Sequence, residues 1–150
     1  MNEYLNKVKN EIKRVDHLFF VSLKYTRTVD VIKSIIVRMI NALGFGIDAL
    51  LAQAKKNKKI KEIPPSPRLK AEQAKELYSS DEKLNDFINF YILLRKIIKS
   101  KYTKKEEYRR HVAMITEIEP GNYLEVNIDL LQEYYNKIKE YVEYLQKLLK

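Results

Sequence analysis

From Val29 to Ala54 the chain places Val29, Ile32, Ile36, Met39, Ile40, Leu43, Ile47, Leu50 and Leu51 at helical spacing, and they cover more than one side of the helix they predict. A helix that is apolar around most of its girth cannot lie on a surface, so other elements must enclose it. The alternative enclosure is a bilayer. Asp30, Lys33, Arg38 and Asp48 interrupt the run, and each would cost about 2.5–3.5 kcal/mol at a membrane centre. The stretch therefore reads as the central helix of a water-soluble bundle, with no membrane partner expected.

Two glycines, Gly44 and Gly46, sit inside it. Each costs about 1 kcal/mol against alanine in a helix, so close approach of a neighbouring element is the expected reason. The string Gly44-Phe45-Gly46 is not a phosphate loop, because no strand precedes it and no Gly-x-x-Gly follows.

The remaining elements follow from periodicity and caps. Leu5, Val8, Ile12, Val15, Phe19 and Leu23 form one stripe over residues 3–25, with Asn2 as an expected cap. Thr26-Arg27-Thr28 predicts a break, with Thr28 capping the central helix to about residue 57. Residues 55–66 read as a linker, extended by Pro64 and Pro65. Ser66-Pro67 opens a short helix to about residue 78, and Ser79 or Ser80 is the expected cap of a fourth to about residue 100. Thr103 and Glu106 are placed as a capping box opening one short turn. From Arg110 to Ile118 the apolar period becomes two, Glu119-Pro-Gly-Asn122 signals a turn, and Tyr123 to Val126 reads as a return strand. Asn127 or Asp129 starts the last helix. The fold class is thus mainly α: an antiparallel helical bundle of four long helices and one short, with a small β-hairpin near 110–126 before the C-terminal helix. At 150 residues it is expected to be a single domain over 1–150. The apolar faces of the first and last helices make a homodimer the expected assembly, two-fold dimers being the commonest oligomers.

Charge is concentrated. The chain carries 29 Lys and Arg against 20 Asp and Glu, a net of +9. Residues 55–70 hold Lys55, Lys56, Lys58, Lys59, Lys61, Arg68 and Lys70 against Glu62. Residues 95–110 hold Arg95, Lys96, Lys99, Lys101, Lys104, Lys105, Arg109 and Arg110 against Glu106 and Glu107. The rest of the chain is net negative. Solubility needs mixed signs rather than clusters, although Lys enrichment is also a general mark of heat adaptation. Lys and Arg supply the phosphate contacts of nucleic-acid binding, and Tyr102 and Tyr108 stand among the second cluster, where unstacked bases can stack on rings. Lysine runs also mark solvated linkers, and both tyrosines can anchor a hairpin. The alternatives are a nucleic-acid partner, RNA preferred, and an acidic protein partner.

Chemistry is mostly excluded. There is no cysteine, hence no thiol or disulfide chemistry, which suits a reducing compartment. No zinc or calcium signature is present, so no metal or cofactor is expected. The first residues lack a secretory apolar core, and a cytoplasmic location is expected. His17, beside Leu18-Phe19-Phe20, reads as a packed or boundary residue. His111 follows Arg109 and Arg110, and such a trio could serve as base and phosphate holders toward a ribose 2′-hydroxyl; the plainer reading is a lead-in to a strand with side chains turned to solvent.

A bundle of this size with a basic face resembles the HEPN superfamily, and the tail from Glu107-Tyr-Arg-Arg-His-Val to Glu125-Val-Asn-Ile-Asp is similar to uncharacterised archaeal proteins. The resemblance implies a small dimerising helical protein that binds or acts on RNA. Catalytic members carry an Arg separated from a His by four to six residues. Lys104, Lys105 and Glu106 stand there before His111, and Asn10, Glu11 and Ile12 before His17. The family's ribonuclease residues therefore have no counterpart, and the resemblance implies binding rather than catalysis. The expected function is a non-catalytic RNA-binding module acting through Lys55–Lys61 and Arg95–Arg110. An interaction or antitoxin-like adaptor is the second reading, and a metal-independent ribonuclease using His111, Arg109 and Arg110 the third.

Overall fold

The computed structural model describes residues 2–149, without the side chain of Asn2, so the expected Asn2 cap falls outside it. The described residues form five helices and one three-stranded antiparallel sheet. Helix α1 covers residues 2–25 and contains a π-helical segment, Leu18–Ser22. Helix α2 is Val29–Lys56, α3 is Pro67–Leu77 and α4 is Glu82–Lys99. Strands β1 (Lys101–Lys105), β2 (Ala113–Glu119) and β3 (Asn122–Asn127) precede α5 (Ile128–Leu148).

Helix α2 is the axis of the molecule. It has the length and apolarity of a membrane span, but more than half of its most apolar window is buried inside the protein. Glu11 meets Arg38, and Lys7 lies over the Phe45 ring, which sets α1 antiparallel to α2. Gly44 lies against Tyr91, and Gly46 against Phe87 and Leu145. Phe87 and Phe90 meet Tyr141 and Tyr134 edge-on, so α4 is antiparallel to both α2 and α5. The close approach expected at the glycines holds most sharply for Gly46, where an added Cβ would lie 2.9 Å from Phe87 Cζ.

The helix starts obey capping chemistry, in which a side-chain oxygen satisfies an orphan N–H. Thr28 accepts from Val31 and Ser66 from Leu69. Asp81, not Ser79 or Ser80, caps α4: its Oδ1 accepts from Leu84 N at 3.1 Å, and its other oxygen accepts from the Tyr144 hydroxyl at 2.7 Å. A carboxylate satisfies the helix N–H and reaches α5 at once, which a serine cannot. Asn127, rather than Asp129, caps α5.

The β-region departs most from expectation. The expected hairpin is there as β2 and β3, but residues 101–105 form a third strand instead of a capping-box turn, with Lys101 opposite Glu117 and Lys105 opposite Ala113. All five β1 residues are exposed, so no apolar alternation announces the strand. Its lysines suit an edge, where charge discourages pairing with other chains. Buried Thr116 ties the sheet to the C-terminal end of α4, its hydroxyl lying 3.4 Å from both Ile97 O and Lys101 O. Arg110 and His111 precede β2 rather than opening it, and lie in the connecting loop 106–112.

The π segment was also unannounced. It sets successive phenylalanines against one ring of α5: Phe19 stacks on Tyr135 at 6.0 Å, and Phe20 meets it edge-on at 5.5 Å. Burial first, and then the neighbouring Asp16 carboxylate, push the Tyr135 hydroxyl up to about 12. Its proton is held more tightly in the folded chain than in the unfolded one. The stability this contributes is therefore whole below about pH 10, the ordinary tyrosine value, and is lost as pH rises from there to about 12. Burial raises Tyr78, Tyr134 and Tyr141 in the same direction. Urea midpoints are expected to fall across that window, and to fall less in Tyr135→Phe. An equal fall in the two proteins would contradict the assignment.

Candidate nucleic-acid interface

The lysine run 55–61 does not share a surface with β1 and the loop that follows it. Lys33 Nζ lies 4.6 Å from the centre of the Tyr102 ring, so β1 sits at the N-terminal end of α2. Lys55 and Lys56 end that helix, about 35 Å away along an axis rising 1.5 Å per residue. The cluster Lys55, Lys56, Lys58, Lys59 and Lys61 has a local reason. Lys59 N–H donates to Ala54 O (2.9 Å) and Lys58 N–H to Lys55 O (3.0 Å), with Lys58 left-handed at φ 61. This is a Schellman closure, and cations there offset the negative end of the helix dipole. Arg68 separates from these lysines: the linker brings α3 back along α4, and Arg68 shares a groove with Arg95, Lys96 and Lys99.

The second segment forms a corner with residues far away in sequence. The loop 106–112 is fixed to the α1–α2 junction by two bonds. Tyr108 N–H donates to Arg27 O at 2.6 Å, and Val29 N–H donates to Glu107 Oε2 at 2.9 Å. The second supplies the first turn of α2 with a carboxylate acceptor, so Glu107 is a structural cap as well as a partner for Lys104 at 3.9 Å. Within the loop, Glu106 (φ 48) and Tyr108 (φ 66) take left-handed backbone. Such conformations cost non-glycine residues about 1–3 kcal/mol and persist where the surroundings impose them. Here they turn the Tyr108 side chain outward, 76% exposed. Tyr25, 80% exposed, stands two residues before the anchoring Arg27. Neither ring anchors a core.

Arg109 and Arg110, which follow Tyr108, and Lys101, at the far end of β1, are exposed and make no ion pair among the described residues. Tyr102 lies beneath Lys33, whose Nζ also donates to its hydroxyl at 3.4 Å. Lys105 is engaged: its Nζ donates to Glu125 at 2.9 Å. That bond, with the attraction between the two charges, holds the Glu125 carboxyl below and the Lys105 ammonium above their ordinary values.

His111 lies beside a cleft of about 480 Å³ lined also by Arg27, Lys105, Arg110 and Asn127. Glu106, Glu125 and Asp129 line it too, so the cleft is balanced in charge; of the two loop arginines, Arg110 lines it and Arg109 does not. The Nε of Arg27 is buried and has no protein partner. His17 is exposed on α1, not packed. Among the described residues no group of three or more His, Asp or Glu is placed to hold a metal ion.

The sequence candidates Lys101, Lys104, Lys105, Tyr108, Arg109 and Arg110 lie along β1 and the loop 106–112, and the structure adds Arg27 and Lys33 beside them. The only local signal for these two was the break at Thr26-Arg27-Thr28, which says where a helix stops and not what meets it. Compared with family models, with curated proteins and with solved structures, the chain has no match.

Proposed function

We propose that this protein binds single-stranded RNA at the corner made by β1, the loop 106–112 and the α1–α2 junction. The observation that carries the reading is Tyr108: a ring presented to solvent by a left-handed backbone, pinned by a 2.6 Å bond to Arg27 O, with two unpaired arginines following it in sequence. Packing does not account for an exposed aromatic ring held this way, whereas a stacking platform does. A base stacked on such a ring is worth about 1–3 kcal/mol, and neighbouring cations supply the phosphate contacts. Single strands are favoured over duplexes because only unpaired bases can reach a ring. Lys55–Lys61 lie too far away to share one short strand, so the surface proposed is narrower than the charge clusters alone suggest.

Tyr108→Ala is expected to lower affinity for a labelled single-stranded RNA about tenfold, since 1.4 kcal/mol is tenfold, while Tyr108→Phe keeps it. The measurement is fluorescence anisotropy near 0.1 M salt, with thermal melts showing both variants folded. Equal affinity in wild type and Tyr108→Ala would sink the reading.

A further inference from the structure

The groove between α3 and α4 is separate from that corner and has its own chemistry. Lys75 Nζ donates to Asn89 Oδ1 at 3.0 Å, which sets α3 and α4 antiparallel and brings Ala71 level with Ile92 and Arg68 level with Arg95 and Lys96. The groove encloses about 510 Å³. Its floor is Ala71, Tyr91, Ile92 and Ile118, with Ile92 42% exposed although it lies in a concave site. Its rim is cationic. Arg68, Arg95 and Lys99 line it and form no ion pair among the described residues, against one lining carboxylate, Glu72. Arg95 is held over the floor, its guanidinium 5.7 Å from the centre of the Tyr91 ring.

Two side-chain pairs flank Ile92 along the groove. Lys75 and Asn89 cross it on one side of Ile92. On the other, Lys96 binds Glu119 at 2.7 Å, so the end of β2 approaches α4. The span from Ile92 to Lys99 is about 10 Å. A docked peptide helix needs apolar anchors over two or more turns, yet the α4 face beyond Ile92 continues with Asn89 and Asn85. The volume instead falls among small-ligand sites, about 300–1,000 Å³, which are mostly apolar with a few placed polar groups.

We propose that this groove binds a small soluble anionic amphiphile, an apolar body carrying a phosphate or carboxylate head, with the body on Ile92 and Ala71 and the head between Arg68, Arg95 and Lys99. Charge complementarity selects the anion, and the exposed Ile92 in a concave site selects the apolar body. The RNA reading is not needed for it.

The test is an amide NMR titration of the full chain with decyl phosphate below its micelle concentration, beside 1-decanol and inorganic phosphate. Saturable shifts at Ala71, Ile92 and Ile118 are expected, with decanol and phosphate each binding at least tenfold more weakly. Ile92→Glu and the double variant Arg95→Gln/Lys99→Gln should each weaken decyl phosphate at least tenfold while their melts stay close to wild type. Absence of saturable groove shifts overturns the proposal. So does equal binding of decanol, a response confined to micelles, or shifts centred on the loop 106–112. If the double variant melts early, Ile92→Glu alone decides, because its side chain is already exposed.

Discussion

Gly46→Val is expected to destabilise the protein by about 3 kcal/mol, the upper part of the usual range for overpacking a core. Even the first added carbon would lie 2.9 Å from Phe87 Cζ and 3.0 Å from Leu145 Cδ2, and valine adds two methyl groups beyond it. Neither neighbour can yield easily. Phe87 is buried between α2 and Tyr141, and Leu145 is fully buried in α5. The helix-propensity gain on leaving glycine offsets only a fraction of this. Gly44 is the internal control, since its added Cβ would meet Tyr91 at 3.5 Å, an ordinary contact. Gly44→Ala should therefore gain up to about 1 kcal/mol from propensity alone. Urea unfolding with unchanged m-values would measure both. A Gly46→Val protein as stable as wild type would mean that α2, α4 and α5 do not meet as described.

The second large effect is at the corner. Replacing Arg109 and Arg110 together with glutamine should lower single-stranded RNA affinity about 10- to 100-fold near 0.1 M salt. It should also reduce the slope of log affinity against log salt by about 1.4, since each phosphate contact on a single strand contributes about 0.7. Both side chains are exposed and unpaired, so stability should hardly change. The same substitutions at Lys58 and Lys59, at the far end of α2, should leave RNA affinity within about twofold. A comparable loss at both places would point to diffuse attraction by net charge rather than a defined site.

The helical part of the fold was legible because its signals are local. A period of three to four residues and a capping side chain are written within one turn, so Thr28, Ser66 and Asn127 mark their helices. The glycines also spoke clearly, because a helix-destabilising residue inside a buried helix needs a neighbour to explain it. Strand β1 did not, since Lys101-Tyr-Thr-Lys-Lys is exposed throughout and an edge strand without a buried face has no alternation to read. The Asp81 cap was passed over for nearby serines because its second role, holding Tyr144, involves a residue 63 positions away. The candidate site was half visible for the same reason. Its basic run is contiguous, but Arg27, Val29 and Lys33 join it only through bonds spanning 69 to 81 positions. The apparent twin cluster at Lys55–Lys61 was a helix end, and sequence could not say that the two lie at opposite ends of α2.

The most direct test of the RNA reading is a salt titration of wild-type binding to a labelled single-stranded RNA, followed by anisotropy, with duplex DNA alongside and each reaction then run on a denaturing gel. Micromolar or tighter binding to the single strand, weaker binding to the duplex, a steep fall with salt and an intact RNA band are the expected results. No binding near 0.15 M salt would contradict the account and leave the basic corner as a solvated surface. A cleaved band abolished by His111→Ala would replace the binding module with a nuclease built on the cleft beside Arg110 and Glu125.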